Sequence, residues 1–306
     1  MATPFSLSIS TPEGRLVMTD GIVLVIFWFG SHDDRGALAW RTLEHYWKLV
    51  RGEPTLYLDR GDSYRRVTSR VMSRLELKLS QPSDDGYALT LRDGEEAHRP
   101  DHRFFYFADP AGSPGPNRVP TSGVELWFPT RLVSEMGSDR FVAEMMSLVD
   151  QDEFASAYCS LSLLYDDWAT LSGQKIIKST VARHPGIDVR HSSAAKSVMG
   201  EMRASGRPVR GAYWLTFLGA RALKTLSKDA AALQAELGAD IRVRAMRHGV
   251  CIQAGAEPEA GDVNQLDDLP LVRKVARVIE PVRFDQVYAV LFDQKFQRRW
   301  ERRHVT

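Results

Sequence analysis

The stretch IVLVIFWF, residues 22–29, contains only β-branched, aliphatic and aromatic side chains and no polar break. Such a run is typical of a strand covered on both faces, and it is far shorter than the ~20 residues that a membrane-spanning helix requires. The polar residues SHDDRG follow it, and then Ala39, Leu43, Tyr46, Trp47 and Val50 recur at helical spacing. We therefore predict a central strand followed by a helix that packs on the sheet.

Further strands and helices follow on both sides of an irregular middle region. The runs YALTL, RFFYFAD and VELWFP are separated by turn-forming residues, which predicts antiparallel pairing. Residues 157–165, AYCSLSLLY, alternate apolar and polar side chains, which predicts a strand buried on one face. In the second half, GAYWLTFLG at 211–219 predicts another central strand, and a hairpin is expected around 247–249.

The two halves share the order strand, helix, strand pair and helix. This order predicts an α+β protein made of two split-βαβ-type units, with helices packed on largely antiparallel sheets. We place the units at residues 1–205, which include an irregular connector, and 206–306. One continuous sheet surrounded by helices is the alternative.

Composition and charge exclude several classes of protein. The chain has 306 residues and a net charge of +1, so no overall field attracts it to nucleic acid or to a membrane. The N-terminal residues MATPFSLSIS do not have the pattern of a secretion signal, and we expect a cytoplasmic protein. Cys159 and Cys251 lie in apolar alternating stretches and are expected in the core.

Known catalytic and cofactor motifs are absent from the sequence. It has neither a Gly-rich phosphate-binding loop nor a nucleophile elbow, and we expect no cofactor. His98 and His102, with Asp101 beside them, have a spacing that can ligate a metal, but proline and polar neighbours favour a surface loop.

An enzymatic alternative rests on a pattern found in restriction-type nucleases. Asp62 precedes Glu76 and Lys78, which form a Glu-x-Lys tripeptide. In such enzymes the carboxylates hold a divalent cation and the lysine orients the attacking water. Here the tripeptide lies in a segment of helical apolar period, which would point the two side chains in different directions.

The segment 249–270, GVCIQAGAEPEAGDVNQLDDLP, is purely acidic. Its carboxylates are those of Glu257, Glu259, Asp262, Asp267 and Asp268. Their spacing does not match a calcium loop. Asp267 or Asp268 could cap a helix that begins at Pro270, and Asp262 or Asn264 could form an Asx turn. Glu257 and Glu259 are expected to face solvent, where they could dock a basic partner.

The C-terminal segment is the basic counterpart of the acidic one. Its cations are Lys295, Arg298, Arg299, Arg302 and Arg303. Nucleic-acid binding is one interpretation, and a solvated helix end whose charges complement the helix dipole is the other, which we favour.

The acidic segment also carries a family resemblance. Residues 210–283 resemble the C-terminal signature of the bacterial type VI secretion immunity family, whose members are paired with nuclease effectors of the VRR-Nuc and restriction-endonuclease-like classes. The strand RGAYWLTFLG and the run VELWFP match the family pattern. The other matching positions, in order, are Gln253, Gly255, Pro258, Gly261, Asp262, Asn264, Asp267, Asp268 and Pro270.

The resemblance implies a protein that is not an enzyme. Such a protein would bind the cognate nuclease effector and neutralise it by occluding the active or DNA-binding cleft, without contacting nucleic acid or membrane itself. Because a nuclease cleft is basic, we expect Glu257, Glu259, Asp262 and Asp267 to contact the toxin. The sequence leaves open whether the chain self-associates.

Overall fold

The α+β class is confirmed by a computed structural model of the chain. The structure describes residues 5–10, 14, 16–60, 63–95, 100–112, 118–165, 169–189, 207–284 and 292–305.

The described residues contain one sheet of eleven strands. The strands are β1 (Ser8–Ser10), β2 (Leu16–Phe29), β3 (Leu56–Asp59), β4 (Arg65–Arg66), β5 (Tyr87–Arg92), β6 (Arg103–Ala108), β7 (Thr121–Phe128), β8 (Ser156–Tyr165), β9 (Leu215–Gly219), β10 (Ile241–Ala245) and β11 (Gly249–Ala254). Their order is β10-β11-β9-β8-β2-β7-β6-β5-β3-β4, with β1 paired to β2, and all these pairings are antiparallel.

Helices cover this sheet. They are α1 (His32–Val50), α2 (Ser69–Leu79), α3 (Arg131–Met136), α4 (Ser138–Val149), α5 (Ala169–Arg183), α6 (Ala220–Leu226), α7 (Ala230–Leu237), α8 (Pro270–Ile279) and α9 (Gln294–Glu301). The predicted stripe of α1 is confirmed, because Ala39, Leu43, Tyr46 and Trp47 are buried and Val50, at the end of the helix, is half-buried against the same core. Among the described residues, every helix is too short or too polar to cross a lipid bilayer.

Strand β2 is the centre of the core, as its sequence predicts. Ile22, Leu24, Ile26 and Trp28 face the large cluster that includes α1 and α4. The intervening residues, Val23, Val25 and Phe27 among them, belong to a separate cluster on the opposite face. The strand is therefore buried on both faces.

The strands of the two predicted units lie in a single sheet, which is the arrangement of the alternative interpretation. Residues Ser156–Cys159 of β8 pair with β9, so the first and second halves share a continuous hydrogen-bonded ladder. The division at residues 205 and 206 stays a prediction.

Strand β8 corrects one expectation from the sequence. It was predicted to be buried on one face, but all of its side chains are buried, because separate apolar clusters cover the two faces of the sheet at this strand. Its serines tolerate this burial because they donate hydrogen bonds. The hydroxyl of Ser160 reaches the Gly186 carbonyl at 3.1 Å, and that of Ser162 reaches the Asp188 carbonyl at 3.1 Å.

Arginines occupy both open edges of the sheet. The edge strand β4 consists of Arg65 and Arg66, which are both exposed. At the other edge, β10 carries Arg242 and Arg244, each near the Asp139 carboxylate of α4. Both ends of the sheet therefore carry positive charge.

Several expectations concern residues that the structure does not describe. The sequence also predicts a short helix near 193–204, and for residues 284–300 it leaves open a strand followed by a helix or one helix. Residues 193–204 and 285–291 lie outside the described residues, as do Asp62 of the nuclease-like pattern and His98 of the histidine pair.

Candidate partner-binding surface

The acidic segment forms a loop between β11 and α8, which we call the acidic loop, residues 255–268. Gly255 and Gly261 have φ angles of 92° and 64°, a region that favours glycine, and they allow the chain to turn at both points. Between Gly261 and the helix, residues Val263–Gln265 form a single 3₁₀ turn.

Asp262 anchors this loop. Its carboxylate accepts hydrogen bonds from Arg183 of α5, with Nη2···Oδ2 at 2.7 Å and both Nε contacts at 3.1 Å. It also accepts from the Asn264 N–H at 3.0 Å, which confirms the predicted Asx turn. The Arg183 guanidinium holds the pKa of Asp262 below its usual value. Asp262 therefore points inward; its predicted contact with a toxin stays untested.

Backbone contacts fix the rest of the loop. Asp262 and Asp267 exchange N–H···O bonds of 3.0 and 3.1 Å, and the Gly186 N–H donates to the Ala260 carbonyl at 2.8 Å. A Cβ atom on Gly186 would lie 2.0 Å from the Glu259 carbonyl oxygen, so only glycine permits this approach. The loop is thereby held against the segment that follows α5.

Three of the four predicted toxin-contacting side chains are exposed: Glu257, Glu259 and Asp267. The pKa of Glu259 is raised by desolvation and, secondarily, by the nearby Asp267 carboxylate. Asp268 is also exposed and lies 3.4 Å from the Arg273 guanidinium. The structure thus exposes these carboxylates on one loop and brings Glu259 and Asp267 close enough to interact.

The predicted helix cap is wrong. The residue before α8 is Leu269, with φ of 57°, and neither Asp267 nor Asp268 caps the helix through its side chain. The backbone bridge between Asp262 and Asp267 closes the loop before the helix begins, and Leu269 then joins the loop to the helix in the left-handed conformation. The placement of Pro270 in the first turn of the helix is confirmed.

Sequence reasoning missed the apolar side chains of this loop. Val263 and Leu266 are exposed, Leu266 to 91 % of its full area. The sequence did contain a signal for Leu266. It is an isolated leucine within VNQLDD, residues 263–268, where neither a helical nor a strand period explains an apolar residue.

The nuclease-like pattern does not have the geometry it requires. Glu76 and Lys78 lie on helix α2 rather than on a strand, as their helical apolar period indicated. Lys78 Nζ binds Asp59 Oδ2 at 2.6 Å. Among the described residues, no group of three metal-binding side chains occurs, and His102 Nδ1 pairs with Asp93 Oδ2 at 2.7 Å.

The cysteines and two arginines of the basic C-terminal segment have structural roles, whereas Lys295, Arg298 and Arg299 of that segment are exposed. Cys159 and Cys251 are buried, as predicted, and burial raises the pKa of both thiols. The Arg303 guanidinium lies 4.1 Å from the Trp300 ring centroid and donates to the Pro185 carbonyl at 2.6 Å. Arg302 lies 3.4 Å from Glu280. These arginines are bound within the protein.

A second surface feature lies at the opposite end of β11. It is an open cleft of about 970 Å³ whose lining includes Phe29, Arg221 and Arg247. Arg221 lies over the Phe29 ring at 5.2 Å. Because β11 extends roughly 17 Å, the cleft and the acidic loop are separate surfaces.

Two buried histidines predict a loss of stability in mild acid. Burial lowers the pKa of His32 and of His304, and Arg303 and Arg273 lower that of His304 further. Since the folded pKa values lie below the unfolded value of about 6.5, stability is fully present above pH ~6.5 and declines as the pH falls below it, by up to about 1.4 kcal/mol per pH unit for each group.

We expect a lower urea midpoint at pH 5.5 than at pH 7.5, with a smaller difference in His304→Gln. An equal or higher midpoint at pH 5.5 would contradict this assignment.

The fold is shared with a protein of bacterial type VI secretion. A solved structure titled Pseudomonas aeruginosa T6SS protein PA0821 is similar with a TM-score of 0.81 and 14 % identity, covering 99 % of this chain and 88 % of that one. No curated protein sequence matches the chain.

The sequence itself identifies the family. TsiV, described as type VI immunity for VRR-NUC, matches residues 39–304. The chain belongs to this family of type VI immunity proteins. The resemblance seen in residues 210–283 is therefore confirmed, and the match extends through most of the first half.

Proposed function

We propose that this protein binds a cognate VRR-NUC effector in the cytoplasm and neutralises it by occluding its active or DNA-binding cleft through the acidic loop. Family membership supports the effector class. The observation that carries the proposal is the exposure of Glu257, Glu259 and Asp267 on one loop that Arg183 and Gly186 fix to the body of the protein.

Charge explains why this surface suits a nuclease. A nuclease must bind a polyanion, and it does so with lysine and arginine side chains that line its cleft. Carboxylates on the inhibitor can occupy the same cations, which both accelerates association and competes with DNA. The positive charges at the root of the acidic loop, Arg183 and Arg273, are already paired with Asp262 and Asp268.

Rigidity explains how a surface loop could bind tightly. A flexible loop must be ordered on binding, and fixing the backbone of one residue costs about 1–2 kcal/mol. Here the backbone between Ala260 and Asp267 is fixed before any partner arrives. A stable interface buries at least ~1,200 Å² in total, so neighbouring surfaces must contribute as well. The N-terminus of α4 adjoins the loop, because Ser138 donates a hydrogen bond to the Ala256 carbonyl.

Inhibition of this kind requires no turnover by the protein itself. We expect the purified chain to leave plasmid DNA intact in the presence of Mg²⁺, and to protect it from the effector at equimolar concentration. Nicking by the chain alone would contradict the proposed role.

The double variant Glu257→Lys/Glu259→Lys should weaken effector binding about 10- to 100-fold, mainly by slowing association, because it places positive charges opposite a basic cleft. Surface plasmon resonance at two salt concentrations measures this effect. The thermal midpoint should barely change, since both side chains are exposed.

A matched control separates this surface from overall charge. Glu44→Lys/Glu76→Lys makes the same change in net charge on exposed positions of α1 and α2 and should bind normally. Arg221→Glu/Arg247→Glu tests the cleft at the other end of β11. If only this cleft variant lost affinity, the acidic loop would not be the docking surface.

A further inference from the structure

The acidic loop carries two exposed apolar residues, Val263 and Leu266, which we call the apolar tip. Only four large apolar residues are exposed among those that the structure describes, and two of them, Val263 at 47 % and Leu266 at 91 %, lie on this loop. The other two, Leu77 and Ile176, are on helices α2 and α5. A single exposed apolar residue is ordinary on a surface, but here two of the four lie three positions apart in one short loop.

The tip is held in place by the same contacts that fix the loop. The 3₁₀ turn Val263–Gln265 starts at Asp262, whose carboxylate Arg183 binds, and ends at Leu266, whose N–H donates to the Val263 carbonyl at 3.4 Å. Leu266 has φ of 58°, a region in which leucine is uncommon. The protein thus holds an apolar side chain in solvent at a position where asparagine or glycine would fit the backbone better.

We propose that Leu266, with Val263 beside it, is the apolar anchor that enters the DNA-binding cleft of the VRR-NUC effector; this rests on the function proposed above. The exposed carboxylates of Glu257, Glu259 and Asp267 belong to the same loop. Strong protein interfaces have this arrangement, with a few apolar residues that become fully desolvated and a polar rim that excludes water around them.

The surrounding charge selects among possible occupants. Anionic lipid would be repelled by the carboxylates, which excludes a membrane surface as the favoured partner. A second copy of the same loop would meet like charge, which opposes self-association through this tip. A basic cleft satisfies both the carboxylates and the leucine, because the aliphatic parts of lysine and arginine side chains pack against apolar groups.

The experiment compares three changes in the full chain. Leu266→Asn removes the apolar group and suits the backbone conformation, Leu266→Met keeps an apolar side chain, and Leu77→Asn makes the matched change on α2. Binding to the purified VRR-NUC nuclease domain is measured by surface plasmon resonance, and urea unfolding confirms that each variant is folded.

We expect Leu266→Asn to lower affinity about 10- to 100-fold by accelerating dissociation, because burial of a leucine side chain is lost. The loss should persist in high salt, unlike that of the charge variant. Leu266→Met and Leu77→Asn should bind within about threefold of the unchanged chain.

The outcomes distinguish the anchor from the function on which it rests. If the unchanged chain binds the nuclease and Leu266→Asn binds equally well, the anchor is wrong and the immunity function stands. If the unchanged chain does not bind, both fail. Association of the unchanged chain with anionic vesicles or with itself, abolished by Leu266→Asn, would reassign the tip and overturn the proposal.

Discussion

Arg210→Ala should lower the free energy of unfolding by about 3–5 kcal/mol, because it leaves a carboxylate buried without its cation. The Arg210 side chain is 2 % exposed, and its guanidinium contacts Asp188 Oδ2 at 3.1 Å and Glu301 Oε1 at 3.2 Å. The Tyr158 hydroxyl donates to Asp188 Oδ2 at 3.0 Å and lies against the same guanidinium. Urea denaturation at pH 7.5 measures the loss.

The control removes the charges together. Arg210→Met/Asp188→Asn/Glu301→Gln leaves no unpaired buried ion, and it should be more stable than Arg210→Ala alone. A cost below about 1 kcal/mol for Arg210→Ala would mean that water reaches Asp188 in the folded protein, contrary to the burial seen here.

Phe141→Ala should lower the free energy of unfolding by about 3–5 kcal/mol, because it removes a fully buried aromatic ring and leaves a cavity. Phe141 projects from α4 between the two halves of the chain. Its ring lies edge-on to Phe128 of β7, with centroids 5.7 Å apart, and stacks on Trp214 before β9 at 6.1 Å. Thermal unfolding followed by circular dichroism measures the effect.

Met146→Ala is the matched control on the same helix, and its half-buried side chain should cost less. Because Phe141 and the β8–β9 ladder join both halves, fluorescence and circular dichroism should report one transition in the unchanged protein and in Phe141→Ala. Two separate transitions would instead support independent units at 1–205 and 206–306.

Elements with a strong period could be predicted from the sequence. The stripe Ala39, Leu43, Tyr46 and Trp47 is buried on α1, as its helical period indicates. The unbroken apolar run 22–29 forms the C-terminal part of β2. How strands from the two halves pair could not be predicted. The β8–β9 ladder joins residues more than fifty positions apart, and no local pattern encodes that choice.

The candidate site could be predicted in part. A run of carboxylates without cations is legible in the sequence, and so is the Asx turn at Asp262. Arg183, which binds Asp262, lies on helix α5, and nothing in the sequence of the loop indicates this contact. The prediction of an aspartate helix cap was wrong, because the backbone bridge between Asp262 and Asp267 closes the loop and Leu269 becomes the residue before the helix. Leu266 was missed because its importance depends on exposure.

The arginines at β4 and β10 have a consequence for the protein's working concentration. An open strand edge is a template for pairing with another chain, and it can seed fibrillar aggregates. Arg65 and Arg66 lie at one end of the sheet, and Arg242 and Arg244 share a single Asp139 carboxylate at the other, so the strand and carboxylate at each end carry net positive charge that repels another copy. Like charge at both open edges should therefore keep the folded protein from aggregating through its strands at high concentration.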